Sequence, residues 1–156
     1  MKKGITYVIG KSIYAIQIII AKLFVRPKKN KIAFISLNDY SDNARALSDY
    51  IISLENDYEI CWFVSDKKQY SEQYKDLSIK FYNKEKKHHH YEWKTVFVAF
   101  SCGVICYTHG FIINRKYLNK NQVLINLWHG CGYKDSEKEN KSVQFDFVLV
   151  PGEIFV

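Results

Sequence analysis

The apolar positions of this chain fall into two regimes. From residue 5 to 25 they run almost unbroken, interrupted only by Gly10, Lys11, Ser12, Gln17 and Lys22 among the polar and small residues. At helical spacing Lys11, Ala15 and Lys22 share one side. The rest is a broad face of Ile, Val, Tyr, Leu and Phe, the pattern of an amphipathic helix lying in a membrane interface. About twenty residues also reach across a bilayer, but the two lysines oppose full crossing. A cleaved signal peptide is opposed by the absence of a small-residue cleavage site and by Arg26-Pro27-Lys28-Lys29 after the apolar run. A first helix packed on its own domain is the other reading.

From Lys31 onward short apolar runs alternate with amphipathic stretches. Residues 32–35, 59–65, 103–107, 122–125 and 145–150 read as strands, and 78–82 as a weaker one. Their nearly continuous apolarity is that of parallel strands covered on both faces. Between the first two, Asn38-Asp39-Tyr40 makes a turn and Ser41 or Asp42 can cap a helix. Ala44, Leu47, Tyr50, Ile51 and Leu54 give that helix a core face. Residues 66–75 are helical in part. Residues 91–101 form a buried helix with Trp93, Val96, Phe97 and Phe100 inward. This alternation predicts an α/β fold, a doubly wound, mostly parallel Rossmann-like sheet preceded by the N-terminal amphipathic helix. It divides the chain into a membrane-associating helix and basic linker, 1–30, and one lobe, 31–156.

Composition narrows the class. A chain of 156 residues with 47% hydrophobic and 16% aromatic content has enough apolar side chain for one real core. The net charge of +7 is unevenly spread. Eight lysines and arginines lie within residues 1–31, with no acidic residue among them. No zinc-finger or aromatic RNA-binding signature accompanies them, so an anionic membrane surface is expected as partner rather than nucleic acid. Cys61, Cys102, Cys106 and Cys131 show no C-x-x-C spacing, and they read as reduced thiols of a cytoplasmic protein. His88-His89-His90 has no carboxylate or cysteine at ligand spacing, so no metal site is assigned there.

The candidate chemistry sits where strands end. Residues 122–125 lead into Asn126-Leu127-Trp128-His129-Gly130-Cys131-Gly132-Tyr133-Lys134. That places the His129 imidazole at the carboxyl end of a strand, the edge at which open α/β sheets bind ligands. Gly130 and Gly132 allow a tight turn and close approach of backbone to substrate. Lys134 brings a cation within reach of a phosphate. On residue types alone a structural turn is the commoner meaning of His-Gly. Asn43 and Arg45 reach the same edge, or else serve a capping turn and a solvated surface. Residues 103–107 also end in His-Gly, and a parallel sheet would put His109 on the same rim as His129.

Four segments, in order, resemble the CDP-glycerol glycerophosphotransferases, the teichoic acid polymerase family. Trp128-His129-Gly130-x-x-x-Lys134 is similar to that family's Trp-His-Gly-Thr-x-x-Lys motif, with Cys131 in place of Thr. Lys31-Ile-Ala-Phe-Ile-Ser with Ser41-Asp-Asn-Ala-Arg-Ala-Leu47 resembles its first strand and Ser-Asp-Asn-Pro-Arg-Ala-Leu segment, with Ala44 in place of Pro. Residues 58–66 and 145–153 resemble two further strands. The resemblance implies the N-terminal, acceptor-side lobe of a GT-B-type fold. It implies transfer of glycerol phosphate from CDP-glycerol to a lipid-linked polymer at the cytoplasmic face of the membrane, with His129 as general base. Lys134, Gly130, Asn43, Arg45 and His109 are the expected substrate contacts. No covalent cofactor is implied, and a divalent metal is neither required nor excluded by these residues. One lobe is half of such an enzyme, so little activity is expected without a donor-binding lobe. A non-catalytic membrane-attached module that binds a lipid-linked glycan or a partner lobe is the second reading. A small nucleotide-binding Rossmann protein is a third reading, disfavoured because no G-x-G-x-x-G follows the first strand.

Overall fold

The computed structural model describes residues 2–85, 91–128 and 145–149. Six strands form one sheet: β1 (Lys28–Ile35), β2 (Glu59–Val64), β3 (Ile79–Asn83), β4 (Cys102–Tyr107), β5 (Val123–Asn126) and β6 (Phe147–Val148). Their order is β3-β2-β1-β4-β5-β6, and every neighbouring pair is parallel. The chain winds outward from β1 to β3, returns to lay β4 against the other side of β1, and winds outward again. The fold is therefore α/β and Rossmann-like, and its winding reverses between β1 and β4.

Alternation along the strands sorts side chains to two cores. Ile32 and Phe34 of β1, with Ile60, Trp62 and Val64 of β2, face α2 (Asp42–Ser53) and α3 (Lys67–Gln73). Ala33 and Ile35, with Cys61 and Phe63, face α1 (Lys2–Phe24) and α4 (Trp93–Ser101). On the first side Phe34 stacks on Trp62 at 5.5 Å, and Tyr40 meets the Trp62 ring edge-on at 4.9 Å. Cys61, Cys102 and Cys106 are free and buried, and burial pushes the Cys106 thiol up to about 12. Cys131 lies outside the described residues.

Two helices bury most of the face their apolar spacing predicts, Ala44, Leu47 and Ile51 in α2 and Val96, Phe97 and Phe100 in α4, but each is rotated enough to bring in a polar residue beside it. In α2, Tyr50 and Leu54 are exposed while Ser48 is fully buried, because its hydroxyl accepts from Trp62 Nε1 at 2.9 Å. In α4, Trp93 is about half exposed while Thr95 is buried, its hydroxyl donating to the Asn83 carbonyl at 2.9 Å. Both rotations satisfy a polar group that would otherwise be buried without a partner, a cost of about 1–3 kcal/mol.

Helix α1 is part of the fold. The connection from β4 to β5 contains only a short 3-10 turn at Arg115–Tyr117. Helix α1 packs beside α4 on that face, with Ile18 and Ala21 in the same core as Ile113, Leu118 and Leu124. Two polar bonds fasten it: Tyr14 Oη donates to the Ile112 carbonyl at 2.5 Å, and Gln17 Nε2 to the Tyr91 carbonyl at 3.0 Å. The seated stripe is Gly10, Tyr14, Gln17, Ile18 and Ala21, at spacings of three and four. The outward face is the more apolar one: Val8, Ile9, Ile16, Ile19, Leu23 and Phe24 are all exposed, Phe24 by 77%. Sequence 6–24 is long and apolar enough to cross a membrane, with mean hydropathy 1.5.

Close approach of β1 and β4 is set by Gly103. A Cβ there would stand 2.5 Å from the Lys28 carbonyl oxygen. At the same amino edge Glu59 receives Lys31 and Lys80, each at 3.1 Å. Burial works to raise the Glu59 pKa, but these two partners outweigh it and hold the carboxyl below its ordinary value.

Candidate functional site

All six strands point the same way, so their carboxyl ends share one edge, and the reversal of winding puts a crevice between β1 and β4 on that edge. Three short segments line it. After β1 come Ser36 and the turn to α2; after β4 come Thr108 and His109; after β5 come Leu127 and Trp128. Strand pairing extends slightly past the strands, with Thr108 N–H on the Ile35 carbonyl at 3.3 Å and Leu127 N–H on the Tyr107 carbonyl at 2.8 Å.

The β1–α2 turn is strained and cross-linked. Asp39 and Asp42 both have φ near +60°, a region that Asp tolerates better than most residues. Asp39 Oδ1 accepts from Ser65 N–H at 3.0 Å and Ser65 Oγ at 3.1 Å, and pairs with Lys84 Nζ at 2.6 Å. Lys84 Nζ also donates to the Leu37 carbonyl at 3.1 Å. One aspartate thus ties the ends of β1, β2 and β3 together. Ser41 is the residue before α2, but its side chain makes no capping bond. Its hydroxyl lies 3.2 Å from Ser36 Oγ, which donates to Asp42 Oδ2 at 2.7 Å. The expected cap has become a hydroxyl–carboxylate cluster beside the crevice.

Asn43, in the first turn of α2, reaches across to the end of β5. Its Nδ2 donates to the Leu127 carbonyl at 3.1 Å and the Trp128 carbonyl at 2.9 Å. Trp128 has φ +52°, and its N–H donates to Asn126 Oδ1 at 2.9 Å. The edge position expected for Asn43 is found; its partners are backbone carbonyls.

Arg45 is placed elsewhere. Its guanidinium stands over the Tyr40 ring at 4.8 Å, and Nε pairs with Asp49 at 3.3 Å. Asp49 also accepts from the Tyr40 hydroxyl. These bonds tie it to the aromatic group of Tyr40 and Tyr74 on the α2–α3 side of the sheet.

His109 is exposed at the crevice, its Nδ1 3.1 Å from Thr108 Oγ1. Register pairs Tyr107 with Asn126, so His109 and Trp128 are each two residues past the same rung. The strand ends on which the expected rim of His109 and His129 depends are parallel neighbours, and the second histidine lies outside the described residues. His129, Gly130 and Lys134 lie outside the described residues, as do Cys131 and His88, His89 and His90. Arg115 pairs with Asp146 at 3.2 Å and Lys116 stands over Tyr117 at 4.8 Å, so the basic loop before β5 is partly engaged. Among the described residues no three His, Cys, Asp or Glu side chains are grouped to hold a metal.

The latch of Asp39, Ser65 and Lys84 carried no readable signal. Its members sit 19 to 45 residues apart in a turn, a strand end and a charge run, each ordinary in itself. Asn126 opened the candidate segment in sequence, but nothing there announced that its side chain would accept from Trp128 N–H.

A family model described as CDP-glycerol:poly(glycerophosphate) glycerophosphotransferase matches residues 18–147, which hold both the crevice and the His129 segment. No curated protein and no solved structure matches the chain.

Proposed function

The chain belongs to the CDP-glycerol:poly(glycerophosphate) glycerophosphotransferase family, and on that premise we propose that it transfers glycerol phosphate to a lipid-linked teichoic-acid-type polymer, with His129 as the general base. CDP-glycerol is the donor that the family uses. The observation that carries the reading is the placement of Trp128, at the carboxyl edge beside the crevice where winding reverses. In the proposed step neutral His129 takes the proton of the polymer's terminal hydroxyl. The oxygen attacks the phosphorus that bears glycerol, the P–O bond to cytidine monophosphate breaks, and cytidine monophosphate leaves. An imidazole suits that task because its ordinary pKa lies near neutrality. Gly130 and Lys134 follow in sequence as candidates to approach and neutralise the phosphates, and His109 borders the crevice from β4. A donor-binding second lobe, in a GT-B-type arrangement, would supply the opposite wall.

The same proposal sets the reaction at the cytoplasmic face of the cell membrane, with the chain peripheral. Its support is the reversed polarity of α1, which seats Gln17 at 1% exposure and turns Ile16, Ile19, Leu23 and Phe24 outward. Crossing the bilayer would cost the Tyr14 and Gln17 bonds to the domain, so α1 is taken to lie along the surface.

The test is release of cytidine monophosphate from CDP-glycerol with a lipid-anchored glycerol phosphate oligomer as acceptor, the chain being supplied with a donor-binding lobe of the family. Wild-type turnover that falls about 10²–10⁴-fold in His129→Ala supports the reading. Acceptor binding without turnover in either protein would replace it with a non-catalytic glycan-binding module.

A further inference from the structure

We infer that Asn43 is a positioning residue, whose carboxamide fixes the backbone from which His129 departs rather than touching substrate. The inference deepens the reading of His129 as base and rests on it. Three peptide units at the end of β5 are pinned from three directions. Leu127 N–H is held by the Tyr107 carbonyl at 2.8 Å, Trp128 N–H by Asn126 Oδ1 at 2.9 Å, and the carbonyls of Leu127 and Trp128 by the one Asn43 Nδ2. Between these restraints Trp128 sits at φ +52°, a left-handed conformation that is costly for a bulky side chain. Such strain persists where surrounding bonds over-determine it, and here the bonds are on view.

The consequence for residue 129 is covalent. The peptide unit is planar, so the direction of the Trp128 carbonyl sets the plane that carries the His129 nitrogen. A side-chain amide offers N–H donors to the two carbonyl oxygens, whereas an ionised carboxylate of the same shape offers only acceptors. The residue type is thus matched to its task. The first turn of α2 thus bonds to Leu127 and Trp128 from outside β4 and β5.

Asn43→Asp and Asn43→Ala in the full 156-residue chain test it by three readouts. Hydrogen exchange of the Leu127 and Trp128 amides should quicken about tenfold or more, with β1 and β2 amides unchanged. The His129 ring resonance, assigned with His129→Asn, should move while those of His88, His89 and His90 stay. In CDP-glycerol turnover with a donor-binding lobe supplied, kcat should fall about 10–100-fold with KM for CDP-glycerol kept within about twofold. In a His129→Ala background the Asn43 change should add nothing. A risen KM with kcat kept would make Asn43 a substrate contact and overturn the inference, as would unchanged exchange together with an unmoved His129 resonance. If wild-type protein supplied with a donor-binding lobe turns over no CDP-glycerol, the transferase reading fails by itself, and exchange and resonance still decide the clamp. Asn43→Ala, which sets no carboxylate against the carbonyls, serves where the aspartate variant does not fold.

Discussion

Single polar residues decide how the helices of this domain sit. Ser48 is the clearest case, since apolar spacing alone turns α2 so that Tyr50 and Leu54 face the core. The fold gives that space to Ser48, whose hydroxyl receives the buried Trp62 indole N–H. Ser48→Ala removes the acceptor and leaves the N–H buried, so unfolding free energy should fall by about 1–3 kcal/mol. Urea denaturation with an unchanged slope is the check, and a loss below about 0.5 kcal/mol would mean the indole finds another partner. A side chain of this kind is illegible in sequence because its partner lies 14 residues away in another element. Asn43 was legible halfway. Its place in the first helical turn after a strand put it at the ligand edge, but nothing local announced two carbonyls more than eighty residues later.

At the level of elements, the strands were easy to read and their packing was not. Parallel strands buried on both faces are continuous apolar runs, so the strands and their alternation with helices followed directly from pattern. Pattern carries no information on how closely two strands approach. Gly103 holds that information: with a Cβ 2.5 Å from the Lys28 carbonyl oxygen, Gly103→Ala must push β4 from β1 or distort the start of both. A cost of about 1–3 kcal/mol is expected, measured by thermal or urea unfolding. Full stability in the variant would show that the amino end of β1 yields freely. β1 starts at Lys28 rather than at residue 32, and a register shift between Lys28 and Ile32 accompanies the pairing of the basic segment with Cys102.

For the whole molecule the question is what covers the outward face of α1. Sequence pattern saw a wide apolar face and a lysine stripe; it did not see that a narrower stripe, centred on Gln17, would seat on the domain. The reading of a helix packed on its own domain is met, and the apolar outward face is what supports the proposal that it lies on a membrane. Flotation with vesicles containing anionic phosphatidylglycerol should carry the protein. Changing Ile16, Ile19 and Leu23 together to Ser should cut partitioning by about tenfold or more per side chain. Added salt should weaken it through the basic residues of the first thirty-one. Undiminished flotation of the triple variant would leave α1 without its proposed role. The variant keeps the seated stripe, so the sheet should remain folded.

The seat of α1 also bears on how the chain is made. Tyr14 and its acceptor at Ile112 are 98 residues apart, so at ordinary synthesis rates about 5–20 s separate their appearance. Through that interval the helix has emerged while the β4–β5 connection that completes its berth has not. An apolar segment kept waiting so long is a natural client for a chaperone or for the nearest lipid, and the order of translation thereby favours meeting a surface before the domain closes over its own first helix.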